Sequence, residues 1–168
     1  MSDWSRITLT VLAFNLLPLA FAAQETLSPG DKPFAVIASD DASYQRLSRE
    51  SVSLMFRRRQ NYWENGTRVQ PVNLPAGHPL RRAFSQCILG RDPEAMEDYW
   101  REMYFHGVLP PHVVASEEAV VLFVVSTPGA IGYVSSCPVG HHVNVVFTVG
   151  DVPNCPRRNT ICAPLQNP

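Results

Sequence analysis

Apolar positions along the chain alternate between short unbroken runs and stretches with a helical period. Phe34-Ala35-Val36-Ile37-Ala38 is continuously apolar without strict alternation, which predicts a short strand buried on both faces. Ser39-Asp40-Asp41 ends it as a polar turn. Ser48 is a good N-cap for a helix running to about Arg58, with Val52, Met55 and Phe56 on one face. Asn65-Gly66 marks a tight turn before a second strand, Val69 to Val72. Leu74 to Pro79 is a loop ending in a helix start, because proline at the first helical position loses no hydrogen bond. Leu80, Ala83, Phe84, Cys87 and Ile88 form the apolar stripe of that helix, and Gly90 closes it.

Asp92-Pro93-Glu94 repeats the start signal, opening a helix to about His106 that should bury Met96, Tyr99, Trp100 and Met103 before Gly107 stops it. Pro110-Pro111 opens an extended piece through Val113-Val114. Ser116-Glu117-Glu118 caps a helix over Ala119 to Val125, ended by Pro128-Gly129. Ala130 to Val134 and Val143 to Val149 complete the strands. Strands alternating with helices of crossover length predict an α/β fold with a mostly parallel central sheet.

The first residues have a different character. Arg6 precedes a nearly continuous apolar run, Ile7 to Leu19, followed by the small-residue pattern Ala20-Phe21-Ala22. The run is short for a bilayer span and the A-x-A site favours cleavage, so residues 1–23 read as a signal peptide rather than a retained anchor. Export to the periplasm, with no span left after cleavage, is the expectation. Residues 24–150 then form one domain, and the Pro- and Cys-containing stretch 151–168 an irregular tail.

The charge is balanced, 14 basic against 15 acidic residues, which argues against a nucleic-acid partner. Arg46, Arg49, Arg57, Arg58 and Arg59 line the outer side of the first helix, where a solvated face is favoured over an anion or partner patch. Cys87, on a helical stripe, reads as a small buried apolar residue. One disulfide is expected among Cys137, Cys155 and Cys162, with the partner choice open. Joining these to His141 and His142 gives no standard zinc spacing, so no metal and no cofactor are implied. No G-x-S-x-G elbow or cysteine-nucleophile context is present, and no catalytic residue is assigned.

Leu54-Met55-Phe56-Arg57, Tyr62-Trp63 and Gly66 to Val72 read as a helix, a Trp turn and a strand. Gly77 leads into Leu80-Arg81 and Phe84 as a loop-to-helix segment, and Ser126-Thr127-Pro128-Gly129-Ala130-Ile131-Gly132-Tyr133-Val134 follows. In this order the three segments resemble the solute-binding component of phosphate ABC transporters, the last of them looking like a family hallmark. The likeness covers Phe34 to Val134 and implies a single lobe of the type 2 periplasmic-binding fold, its sheet flanked by helices and an oxyanion held at helix N-termini. It also implies inorganic phosphate or a similar oxyanion as ligand, and an ABC permease or other envelope protein as partner.

The family's Arg-Ser-Asp-Gly-Ser-Gly-Thr loop is replaced here by Asn73-Leu74-Pro75-Ala76-Gly77-His78-Pro79, which removes the hydroxyls and one N–H. What remains is a Gly-containing loop before a helix, with free N–H groups expected around Leu80 and Arg81. The candidate ligand residues are therefore Asn73, Ala76, Gly77, His78, Leu80 and Arg81, with His78 and Arg81 adding side-chain donors and Asn73 closing the other side. Ser39 and Asp40 stand where α/β sheets place ligand loops, but a plain turn is favoured for them. Two functions follow: capture of a solute, or an interaction or sensory module that has kept the fold and lost its ligand.

Overall fold

The computed structural model describes residues 32–40, 46–138 and 141–150. The expected signal peptide, the tail 151–168, and with it Cys155 and Cys162, lie outside the described residues. A five-stranded sheet organises the rest: β1 (Phe34–Ser39), β2 (Gln70–Asn73), β3 (His112–Val113), β4 (Ala130–Val134) and β5 (Val143–Val149), in the order β3-β2-β4-β1-β5. β2 pairs in parallel with β3 and β4, whereas β1 runs antiparallel to both β4 and β5. Four strands therefore point one way, as the mostly parallel expectation holds, and β1 is the reversed one. Residues of β1 are buried throughout because it lies inside the sheet with neighbours on both sides.

The pleat assigns each face. Val36 stands opposite Tyr133, and Ile37 opposite Gly132. Phe34, Phe56, Phe84 and Tyr133 make one aromatic cluster, with Phe84 stacked on Tyr133 at 4.0 Å between ring centroids and tilted against Phe56 at 4.6 Å. This cluster docks α1 (Arg49–Phe56) and α2 (Pro79–Phe84) on one face of the sheet. On the other face, α4 (Glu117–Ser126) settles over Gly132, where an added Cβ would lie 2.5 Å from Val120 Cγ1 and 2.9 Å from Val72 Cγ1. A helix on each face of one sheet is the three-layer α/β arrangement.

Local signals act as their chemistry requires. Ser48 Oγ accepts from the Ser51 N–H, and Ser116 Oγ from the Ala119 N–H, capping α1 and α4. α2 passes directly into a π turn, Ser85–Leu89, ended by Gly90 at φ 69°. α3 (Glu97–Phe105) follows a 3₁₀ turn, Glu94–Met96, and stops where the Gly107 and Val108 N–H groups donate to the Tyr104 and Met103 carbonyls.

Several expectations are corrected. α3 buries none of its residues: Met96, just before it, is buried, but Tyr99, Trp100 and Met103 are half-buried and Tyr104 and Phe105 exposed. Its stripe meets the edge of the α1 layer instead of the sheet, with the Tyr99 hydroxyl donating to the Arg57 carbonyl at 2.7 Å. Arg57 and Arg58 are not a freely solvated face, since they donate to the Leu89 and Val69 carbonyls. Cys87 is not a lone apolar residue: it and Cys137 are both buried and disulfide-bonded, the oxidised state expected of an exported chain.

The turn before β4 ties the elements together. Gly129 adopts φ +75°, and a Cβ there would lie 2.2 Å from the Arg68 carbonyl oxygen. Its N–H donates to Ser39 Oγ, and its carbonyl accepts from both Trp63 Nε1 and the Gln70 N–H. Gly129→Ala should therefore destabilise the domain by about 3 kcal/mol or more in urea unfolding, through overlap and left-handed strain combined. Gly77→Ala, with open space around it, should cost less than about 1 kcal/mol.

Candidate functional site

β2 and β4 run parallel and end side by side, and the chain leaves β2 into the 74–78 loop that starts α2. Three polar side chains gather beneath that loop. Tyr133, one residue from the end of β4, sends its hydroxyl to the end of β2, where it accepts from the Leu74 N–H at 3.2 Å and lies 3.4 Å from Asn73 Oδ1. The Arg81 guanidinium faces the same hydroxyl. Asn73 and Arg81 are 3% and 7% exposed, so this is an interior polar cluster.

Burial pushes the Tyr133 phenol above its ordinary pKa; the Arg81 charge and the Leu74 N–H oppose that shift, and the Glu117 carboxylate adds to it. Arg81 has no carboxylate within 4.0 Å among the described residues, and its Nη1 finds no hydrogen-bond partner there. The Glu94 carboxylate feels the Arg81 charge from beyond that distance, but a buried guanidinium with no carboxylate in contact is costly, on the order of several kcal/mol per ion in the protein interior. It is the chemically exceptional group of this end of the sheet.

The six sequence-derived residues are only partly brought together. Asn73 and Arg81 meet around Tyr133, with Leu80 buried alongside, whereas Ala76 and Gly77 are exposed on the loop. His78 is the N-cap of α2, and its Nδ1 accepts from the Leu80 N–H at 3.2 Å. The Leu80 N–H is thus occupied, which corrects the expectation of a free donor there. Pro79 supplies none, so the opening of α2 is a poorer anion cradle than the loop pattern suggested. Ser39, expected in a plain turn, is the last residue of β1, and its hydroxyl accepts from the Gly129 N–H.

A cleft of 620 Å³ opens beside this cluster, lined by His78, Ser116, Glu117, Ser135, Ser136 and His141 among others. Glu117 spans it, with one carboxylate oxygen accepting from both the N–H and the hydroxyl of Ser135 at 2.7 and 2.8 Å. The first turn of α4 is thereby closed by its own Ser116 cap and by acids. His78 is shared by the cleft wall and the α2 cap. Among the described residues, no group of three or more His, Cys, Asp or Glu could hold a metal ion. Sequence reasoning passed over Tyr133 as a site residue. Its signal was the alternation Ile131-Gly132-Tyr133, which sends the glycine toward one helix layer and the phenol toward the other.

No protein-family model matches the chain, and no curated protein matches its sequence. Its fold is similar to that of a phosphate ABC transporter substrate-binding protein with bound phosphate from Clostridium perfringens, with TM-score 0.55 and 17% identity over 67% of this chain and 43% of that one. An ABC-type phosphate transport receptor from Vibrio cholerae gives TM-score 0.52 and 15% identity, over 67% and 44% of the two chains. The matched region thus spans less than half of either protein. At these identities the likeness establishes the α/β fold of the periplasmic-binding type.

Tyr133→Phe should cost about 1–3 kcal/mol in chemical denaturation, by leaving the Leu74 N–H and Arg81 facing carbon. The pH dependence tests the same hydroxyl. Because the folded-state phenol is raised, stability is fully present below the unfolded value near pH 10 and falls as pH climbs through the folded value. The Phe variant should lack that alkaline slope.

Proposed function

We propose that this chain is a non-catalytic, exported solute-binding module that captures phosphate or a similar small oxyanion at the β2–α2 end of its sheet. The observation that carries the reading is the buried Arg81 guanidinium, with no carboxylate within 4.0 Å and with Nη1 unpaired among the described residues. An oxyanion supplies the missing charge and acceptor in the geometry that guanidinium suits best. In this reading Arg81 is the principal contact, Asn73 and the Tyr133 hydroxyl complete the polar shell, and His78 with the Ala76-Gly77 backbone forms the mouth. Leu80 contributes through packing, its N–H being occupied. The likeness to phosphate-binding receptors supports the ligand class, and by the same analogy an ABC permease of the envelope is the proposed partner. The apolar N-terminal run and the oxidised cysteines support a periplasmic setting. No helix among the described residues is long and apolar enough to cross a membrane.

A second reading, a ligand-free interaction or sensory module, is favoured by the self-capped starts of α2 and α4. Calorimetric titration of the disulfide-intact chain with phosphate and sulfate at low salt separates the two. Saturable binding is expected, weakened about tenfold or more in Arg81→Gln, whose melting temperature without anion should equal or exceed that of the parent. No heat and no thermal stabilisation at millimolar anion would leave the second reading standing.

A further inference from the structure

The face built on α3 is unusual for a free surface. Tyr62, Tyr104, Phe105 and Leu109 are 61%, 64%, 81% and 62% exposed. They fall in two pairs: the Tyr104 and Phe105 ring centroids are 6.4 Å apart, and Tyr62 and Leu109 line one cleft just beyond α3. The Val108 N–H donates to the Met103 carbonyl, so the chain that carries Leu109 departs from the last turn of α3. Together these four side chains offer on the order of 500 Å² of exposed, mainly apolar surface, near the upper end of what a monomer shows.

Charge around this patch is uneven. Arg58 and Arg68 line the Tyr62–Leu109 cleft, just beyond the C-terminal end of α3, whereas Arg59 lies over the ring of Tyr99, in the first turn of α3, at 5.8 Å. Burial first, and the like charge of Arg68 second, hold Arg58 below the ordinary guanidinium range. None of these three arginines has a carboxylate within 4.0 Å among the described residues. The opposite end of α3 carries Glu97 and Asp98 in its first turn, with Glu102 one turn on, all exposed. Glu97 and Glu102 likewise have no cationic partner within that distance, Asp98 being paired with Arg101.

The geometry points to a second copy of this chain as the occupant, two α3 faces packing antiparallel about a two-fold axis. Rotation by that axis sets the acidic start of each α3 against the basic end of the other, with Tyr104, Phe105 and Leu109 between them. An isologous contact demands such self-complementarity, a patch whose two ends carry opposite charge. Aromatic and arginine side chains are also those that dominate association energy. With the charged rim, each side approaches the roughly 800 Å² of a standard interface, which places the dimer at the weaker end of stable association.

Sedimentation velocity and light scattering on the disulfide-intact chain, from about 1 to 300 µM, test this. A concentration-dependent dimer is expected. Phe105→Glu should raise its dissociation constant about tenfold or more without lowering the melting temperature, since the side chain is exposed. Arg68→Glu and Glu97→Arg should each weaken the dimer, and the double variant should regain it, because the reversed pair is again complementary across the axis. A monomer throughout the concentration range would overturn the proposal. So would a dimer indifferent to all of these changes, or a monomer that instead co-sediments with phosphatidylglycerol vesicles.

Discussion

Close approach of backbone at Gly129 is the constraint on which the rest of the domain depends. Without a side chain, the turn before β4 lies against the Arg68 carbonyl and offers its N–H and carbonyl to three different parts of the chain. Ser39 from the end of β1, Trp63 from the loop after α1, and Gln70 at the start of β2 all bond to this one peptide region. The bond to Gln70 starts the parallel pairing of β2 with β4, whose register then aligns Pro71 with Ile131. That pairing brings the ends of the two strands together, and so places Tyr133 within reach of Asn73 and Leu74.

Seen from this anchor, the polar cluster under the 74–78 loop is a product of register. Gly132 lets α4 settle on one face of β4, and the next residue, Tyr133, sends its ring into the aromatic cluster on the other. Its hydroxyl then stands at the end of β2, where a backbone N–H and the Arg81 guanidinium converge. A buried cation has to be supported by dipoles or by a counter-ion, and here the phenol oxygen that the guanidinium faces leaves Nη1 over. The two helix starts nearby contribute less than their sequences suggest, since each has one of its first N–H groups taken by its own cap residue.

Much of this architecture is legible in the sequence. The apolar runs of β1 and β4, the more mixed edge strand β5 and the serine caps of α1 and α4 appear where their patterns place them, because strand-forming runs and capping are local properties. What was not legible depends on partners. An apolar run does not encode the direction of its neighbours, so the reversed β1 was hidden. The stripe of Tyr99, Trp100 and Met103 has the period of a buried helix face, yet no sheet surface meets it. Arg57 and Arg58 look solvated by composition, but carbonyls brought close by the tertiary fold claim their guanidinium groups. Of the site, Arg81 and Asn73 were found through the loop pattern and Tyr133 was not, because a hydroxyl inside an apolar strand reveals its role only once the strand beside it is known.

The π turn at Ser85–Leu89 bears on how this chain tolerates change in length. A π turn holds one residue more than the α-helical turn it replaces, and each residue advances a helix by about 100° around its axis. Loss of one residue between Ser85 and Leu89 would restore regular winding and rotate everything before it relative to everything after. Phe84 could then stay stacked on Tyr133 only if Leu89 turned its carbonyl away from Arg57 and Cys87 left its disulfide position. The short segment between α2 and Gly90 is thus a length gauge, in which a single deletion acts on the aromatic core, the arginine tether and the covalent bridge at once.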